Sequence, residues 1–80
     1  MAVSTIKQMK LPYSDVTTTN GIGYPAIALS KIVSAVALEG TNRTAVIESY
    51  NGSPIIRLKD SQNMAQTSDS NITVRVYYLP

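Results

Sequence analysis

The C-terminal part of the chain carries a run of alternating side chains that predicts a β-strand. On an extended chain, residues 71–79 place Ile72, Val74, Val76 and Tyr78 on one face and Thr73, Arg75, Tyr77 and Leu79 on the other. β-Branched and aromatic residues dominate the run, and neither glycine nor proline interrupts it. A segment this apolar would fray in water unless it were paired and covered. We therefore expect it to lie at the centre of a sheet or at a contact between subunits.

Shorter strand-like runs, separated by turn signals, precede this segment. They span 15–19, 24–29, 32–38, 43–50 and 55–59, and a polar loop follows at 60–70. Asn20-Gly21 and Asn51-Gly52 are the clearest turn signals, because Asn and Gly accept the positive φ that tight hairpin turns require. Asn51-Gly52 should join the runs on either side of it as a β-hairpin. Pro25 cannot donate to a ladder, so its run should begin at a sheet edge.

Residues 32–38 have two interpretations. The run is apolar or small on both faces, as expected of a strand that is covered on both sides. A helix is the alternative, because Ala35, Ala37 and Leu38 are good helix formers. We favour the strand, since the run is only seven residues long and ends in a loop.

The N-terminal segment is also ambiguous. Met9, Leu11 and Tyr13 alternate as in a strand, whereas the preceding apolar residues of 3–11 have helical spacing. Pro12 ends either element. We divide the chain into an N-terminal arm, linker or first strand at 1–13 and a single β domain at 14–80.

The pattern as a whole predicts an all-β fold. Five to seven short strands with regular turns and no convincing helix are typical of a small antiparallel sandwich or barrel. On folding, burial of apolar surface would contribute ~115 kcal/mol, whereas ordering 80 residues would cost ~120 kcal/mol. The chain contains neither Cys nor His, so neither a disulfide nor a zinc site is expected to stabilise it. We therefore expect the domain to be completed in a homo-oligomer.

Composition argues against several classes of function. The net charge is only +2 and the bases are scattered, which does not predict a nucleic-acid surface. Arg57 and Lys59 are the one local group, and we interpret them as a solvated strand face. No run is long and apolar enough to insert into a membrane, and no signal-peptide pattern is present. Without His or Cys and without closely spaced carboxylates, we expect no catalytic residues, no metal and no cofactor.

The tyrosines are the strongest candidates for binding, because the chain has neither Trp nor Phe. Tyrosine beside Asn, Asp or Arg is typical of contacts with carbohydrate or protein. The residues that we predict to contact a ligand are Tyr50, Asn51, Arg57 and Tyr77, with Arg43 and Asp69 in loops that could join them. The residues that we predict to contact another subunit are Tyr24, Tyr77 and Leu79.

Over 14–80 the order of these features resembles the C-terminal head or tip segments of bacteriophage tail fibres and related receptor-binding proteins. The resemblance is carried by the Thr-rich strand and turn at 16–21, the Asn51-Gly52 hairpin and the closing strand at 72–79. It implies a β-sandwich trimer at the far end of a fibre that binds a saccharide or protein of the bacterial surface. It also implies that the first segment joins a shaft, and that the protein is located in the virion tail.

Two other functions agree with the same sequence. One is a small phage structural protein, such as a capsid-decorating or tail-assembly protein, which would also be an oligomer of β-sheets. The other is a small all-β regulator that binds DNA or another protein, since residues 32–61 faintly resemble the β-rich DNA-binding modules of bacterial response regulators. The scattered charge argues against the regulator.

Overall fold

The computed structural model describes residues 10–80, which form two three-stranded antiparallel sheets. The strands are β1 (Tyr13–Thr17), β2 (Ile22–Gly23), β3 (Ile32–Ala37), β4 (Arg43–Tyr50), β5 (Ser53–Asp60) and β6 (Thr73–Tyr78), with a 3₁₀ turn at Leu29–Lys31. Sheet A has the order β1-β6-β3 and sheet B the order β2-β5-β4. The predicted all-β fold with five to seven strands is thus confirmed. The part of the N-terminal prediction that falls on residues 3–9 lies outside the described residues.

The closing strand β6 lies at the centre of sheet A, where its sequence predicted it. It pairs with β1 on one side and with β3 on the other. Val74 and Val76 have no exposed surface, whereas Arg75 and Tyr77 alternate with them and point away from the core. The two ladders provide hydrogen-bond partners for the backbone of a strand that would otherwise fray.

The core is shared by the two sheets. Its four fully buried aliphatic side chains are Val74 and Val76 of β6 and Ile56 and Leu58 of β5. Each pair comes from the central strand of its sheet, so the inner faces of the sheets meet across these side chains. Full burial contributes ~1.5–3 kcal/mol for each side chain.

Both predicted turns form, and for the expected reason. Asn20 and Gly21 have φ of 52° and 76°, and Asn51 and Gly52 have φ of 51° and 80°. Two successive positive φ values are the signature of the type I′ hairpin turn. The second turn connects β4 to β5, whose register runs from Tyr50 opposite Ser53 along both strands.

The structure corrects three details of the predicted strands. The first strand is Tyr13–Thr17 and not 15–19, because Thr18 is buried where the chain leaves sheet A. Its hydroxyl donates to the Asp69 carbonyl and accepts from the Ile72 amide, both at 3.3 Å. β1 thus begins at Tyr13, the last residue of the segment interpreted as an arm, linker or first strand. The extended run expected at 24–29 forms no ladder and ends in the 3₁₀ turn.

The third correction concerns β3. Residues 32–37 form a strand, so the helical alternative is wrong. The strand is not covered on both sides, however, because Val33 and Val36 are 49% and 48% exposed. β3 is an edge strand with a bulge between Ile32 and Ser34, and none of the described elements packs over its outer side. Its apolar character on both faces therefore does not indicate burial within one chain.

Candidate functional site

The outer faces of the two sheets differ in chemistry. On sheet B, Arg57 donates from Nε to Glu48 Oε1 at 2.7 Å, and Lys59 Nζ lies 3.4 Å from Glu48 Oε2. The hydrogen bond from Arg57, with a smaller contribution from Lys59, lowers the pKa of Glu48 below its ordinary value. Two cations thus share one carboxylate on this face, and the side chains of Arg57, Lys59 and Glu48 are only 21–33% exposed.

Sheet A carries exposed apolar side chains on its outer side instead. All four of the exposed Val and Leu residues among residues 10–80 belong to its strands or to the residue directly after them: Val33, Val36, Leu38 and Leu79. Leu79 lies beside the start of β3, because its amide donates to the Lys31 carbonyl at 2.8 Å. We call these four residues the aliphatic strip. It follows the β3 edge of the sheet.

The other half of this outer face, on β1 and β6, is aromatic. Tyr13 is opposite Tyr77 in the ladder, and Asp15 is opposite Arg75. The Tyr13 and Tyr77 ring centroids are 6.0 Å apart with the rings tilted by 59°. This is the tilted geometry that aromatic pairs prefer to a face-to-face sandwich.

An ion pair holds the aromatic pair in place. Arg75 donates from Nε and Nη2 to the two carboxylate oxygens of Asp15, at 2.9 and 3.1 Å. Its guanidinium carbon lies 4.0 Å from the centroid of the Tyr13 ring, within cation–π distance. The hydrogen bonds from Arg75 lower the pKa of Asp15, and those to Asp15 raise the pKa of Arg75. The two charges compensate each other and leave the aromatic half electrically neutral.

A groove lies where the aromatic half meets the segments that flank β1 and β6. It has a volume of ≈ 960 Å³ and is open to solvent. Its lining residues are Lys10, Leu11, Pro12, Tyr13, Tyr77 and Pro80. We call it the tyrosine groove.

The structure does not bring the predicted ligand-binding residues together. Tyr50 and Asn51 lie at the β4–β5 hairpin, and Tyr50 is 67% exposed. Arg57 points outward from the middle of sheet B and is bound to Glu48. Tyr77 points outward from sheet A, on the opposite side of the core. Arg57 and Tyr77 therefore cannot contact one small ligand.

Asp69 lies in the 60–70 loop as predicted, but Arg43 does not lie in a loop, and neither residue joins the predicted ligand contacts. Arg43 is the first residue of β4, and its side chain forms an ion pair with Asp69 and lies 3.7 Å from Asp60. Tyr50 lies seven residues further along the same strand, roughly 23 Å away. Arg43 instead fastens the 60–70 loop to the end of sheet B.

The predicted subunit contacts also divide between the sheets. Tyr77 and Leu79 belong to the outer side of sheet A, whereas Tyr24 follows β2 of sheet B and is 72% exposed. The sequence prediction missed Tyr13, Asp15 and Val36. Tyr13-Ser-Asp15 has an aromatic residue followed by an acid, and Arg75-Val-Tyr77 has a base followed by an aromatic residue. Because antiparallel strands run in opposite directions, this mirrored order could have indicated that Tyr13 lies opposite Tyr77 and Asp15 opposite Arg75.

Among residues 10–80, no three Asp, Glu, His or Cys side chains gather as metal ligands would. The same part of the chain has no helix with the length and hydropathy to span a membrane. No family model matches the chain, and no curated protein or solved structure matches it either.

Proposed function

We propose that this chain is a non-enzymatic binding and assembly module that works as a homo-oligomer, with the aliphatic strip as the contact between copies. The observation that carries the proposal is the difference between the two outer faces. Sheet B presents a partly covered cluster of two cations and one carboxylate, whereas sheet A presents four half-exposed aliphatic side chains along one edge. Contiguous exposed apolar surface of this kind marks interaction sites.

The energetics support self-association. Each residue of the aliphatic strip is about half exposed, at 46–49%. Covering the exposed half of such a side chain contributes ~1 kcal/mol, and covering all four contributes ~4 kcal/mol for each subunit. That gain is slightly below the lower end of the stability range of native domains, about 5–15 kcal/mol. A second copy of the chain is a suitable cover because the strip itself bears no charge.

The tip of a bacteriophage tail fibre is the setting that agrees with the sequence resemblance. In that setting the two sheets close as a small β-sandwich, three copies associate through their strips, and the assembly belongs to the virion. The tyrosine groove lies on the β1 and β6 side of sheet A, away from the β3 edge. It stays available for a contact with a component of the host surface.

Light scattering of the purified full chain tests the assembly. We expect a mass three times the 8.6 kDa of the chain at ~100 μM subunit, well above the Kd of a micromolar contact. Val36→Lys introduces a charge into the strip and should yield the mass of one chain. Ser49→Lys introduces the same charge at an exposed position of β4 and should leave the mass unchanged. A wild-type monomer would contradict the proposal, as would an unchanged mass for Val36→Lys.

A further inference from the structure

We propose that the tyrosine groove binds an extended, proline-containing peptide segment of a partner protein, with an acidic residue of that segment beside Lys10. The inference rests on the proposed binding function and names the class of partner. None of the predicted ligand contacts except Tyr77 lies in this groove.

The shape of the groove suits a polyproline II segment. Two tyrosine rings tilted by 59° stand side by side on its floor, and Pro12 and Pro80 flank them. Aromatic-lined grooves accept proline-rich segments, whose conformation is preformed and therefore costs little entropy on binding. The Arg75 guanidinium, held by both oxygens of Asp15, fixes one face of the Tyr13 ring. The receiving surface is therefore also ordered before binding.

The side chains of the lining are poor in hydrogen-bonding groups for a saccharide. Pro12 and Pro80 have no N–H, and the Pro12 carbonyl already accepts a hydrogen bond from the Tyr78 amide at 3.1 Å. The side chains of the groove offer two phenol hydroxyls and the Lys10 ammonium. A sugar has a hydroxyl on most of its carbons, and each one left unpaired weakens binding at least about fivefold. A proline segment has no N–H donors to leave unpaired, so the same surface favours a peptide.

The positive charge of Lys10 is the reason to expect an acidic residue in the bound segment. Among residues 10–80, Lys10 forms no ion pair, and the carboxylate of Asp15 on β1 is bound by Arg75. Residues 1–9 of the sequence contain neither Asp nor Glu. The Lys10 ammonium therefore lies at one end of the groove without a carboxylate side chain within ion-pair distance, beside a neutral aromatic surface. A Glu or Asp next to prolines complements both.

Titration of the ¹⁵N-labelled full chain, followed by amide chemical shifts, tests the proposal. The probes are a capped peptide of six prolines, a capped peptide of five prolines and one Glu, and cellotriose. We expect saturable shifts at Lys10, Leu11, Tyr13 and Tyr77 with both peptides. The Glu peptide should bind about three- to fivefold more tightly, which is the effect of one exposed ion pair. Lys10→Gln should remove that preference and keep the binding of the all-proline peptide.

Two tyrosine variants provide the matched controls. Tyr13→Leu keeps an apolar side chain in the groove but should abolish saturable binding. Tyr50→Leu, at an exposed tyrosine outside the groove, should bind as the wild type does. Dispersed amide spectra of all variants establish that they fold. Shifts with cellotriose but not with peptide, a Glu preference that survives Lys10→Gln, or no saturable shift at millimolar peptide would each overturn the inference.

The peptide titration and the light-scattering experiment can fail independently of each other. A trimer that does not bind the peptides overturns only the peptide inference. A monomer that binds them with the expected preference overturns only the assembly.

Discussion

Replacing Gly21 with alanine should destabilise the protein far more than the same change at Gly52. Both glycines occupy the second position of an Asn-Gly turn with positive φ, 76° at Gly21 and 80° at Gly52. A non-glycine residue in this conformation costs roughly 1–2 kcal/mol. The backbone strain is therefore nearly equal in the two variants, and their difference reports only on what the new methyl group meets.

The surroundings of the two glycines differ completely. A Cβ at Gly21 would lie 1.9 Å from the Thr67 carbonyl oxygen, whereas a Cβ at Gly52 would meet no atom within 4 Å. The clash is with backbone, so no side-chain rotation relieves it. The turn would have to move away from the 60–70 loop and weaken the bonds from the Gly21 amide to the Asp69 carbonyl, at 2.7 Å, and from the Leu58 amide to the Gly21 carbonyl, at 2.8 Å. Each net hydrogen bond is worth about 1 kcal/mol.

We therefore expect the free energy of unfolding to fall by about 1–2 kcal/mol in Gly52→Ala and by about 3–4 kcal/mol in Gly21→Ala. Urea unfolding of both variants and the wild type, at one protein concentration because of the proposed association, measures the difference. For a domain of this size, Gly52→Ala should lower the Tm by about 4–16 °C and Gly21→Ala by at least twice as much. Equal losses in the two variants would refute the conclusion that the Gly21 turn is pressed against the 60–70 loop.

Three further predictions concern the core, the ion pairs and the sheet A face. Leu58→Ala should lower the free energy of unfolding in urea by about 2–5 kcal/mol, because Leu58 is fully buried. Val33→Ala, at a half-exposed position, should lower it by less than about 1 kcal/mol. Similar losses in the two variants would contradict the assigned core. The folded pKa values of Glu48 and Asp69 lie below their ordinary values of 4.5 and 3.8, so the stability from their arginine partners is complete above pH 4.5 and is lost as the pH falls through the folded values. The Tm should accordingly be flat from pH 7 to about 5 and fall below about 4.5. The fall should be smaller in Glu48→Gln but should start at the same pH, because Glu39, whose pKa is also lowered from 4.5, still titrates there. A fall beginning near pH 6 would contradict this cause. Asp15→Asn should loosen Arg75 from the Tyr13 ring and reduce the ring-current shifts of the Arg75 side-chain protons, whereas unchanged shifts would show that Asp15 does not hold the stack.

Local patterns predicted the elements of the fold because the information for them is local. The alternation in 71–79 is enough to define a strand and its buried face, since successive side chains of an extended chain point in opposite directions. Asn20-Gly21 and Asn51-Gly52 define turns because few residue types accept positive φ. The error at β3 has the same origin, because a run that is apolar on both faces is identical in sequence whether its outer face is covered or exposed.

The sequence by itself determined the all-β class, the central closing strand and the two hairpin turns. The tertiary structure alone decided the candidate sites. Alternation specifies which way a side chain points but not which strand becomes its neighbour, and residues 13–15 meet residues 75–77 only through pairing across some 60 positions. That pairing places Tyr13 beside Tyr77 and binds Asp15 to Arg75, while the two-sheet arrangement separates Arg57 from Tyr77 by the full thickness of the core.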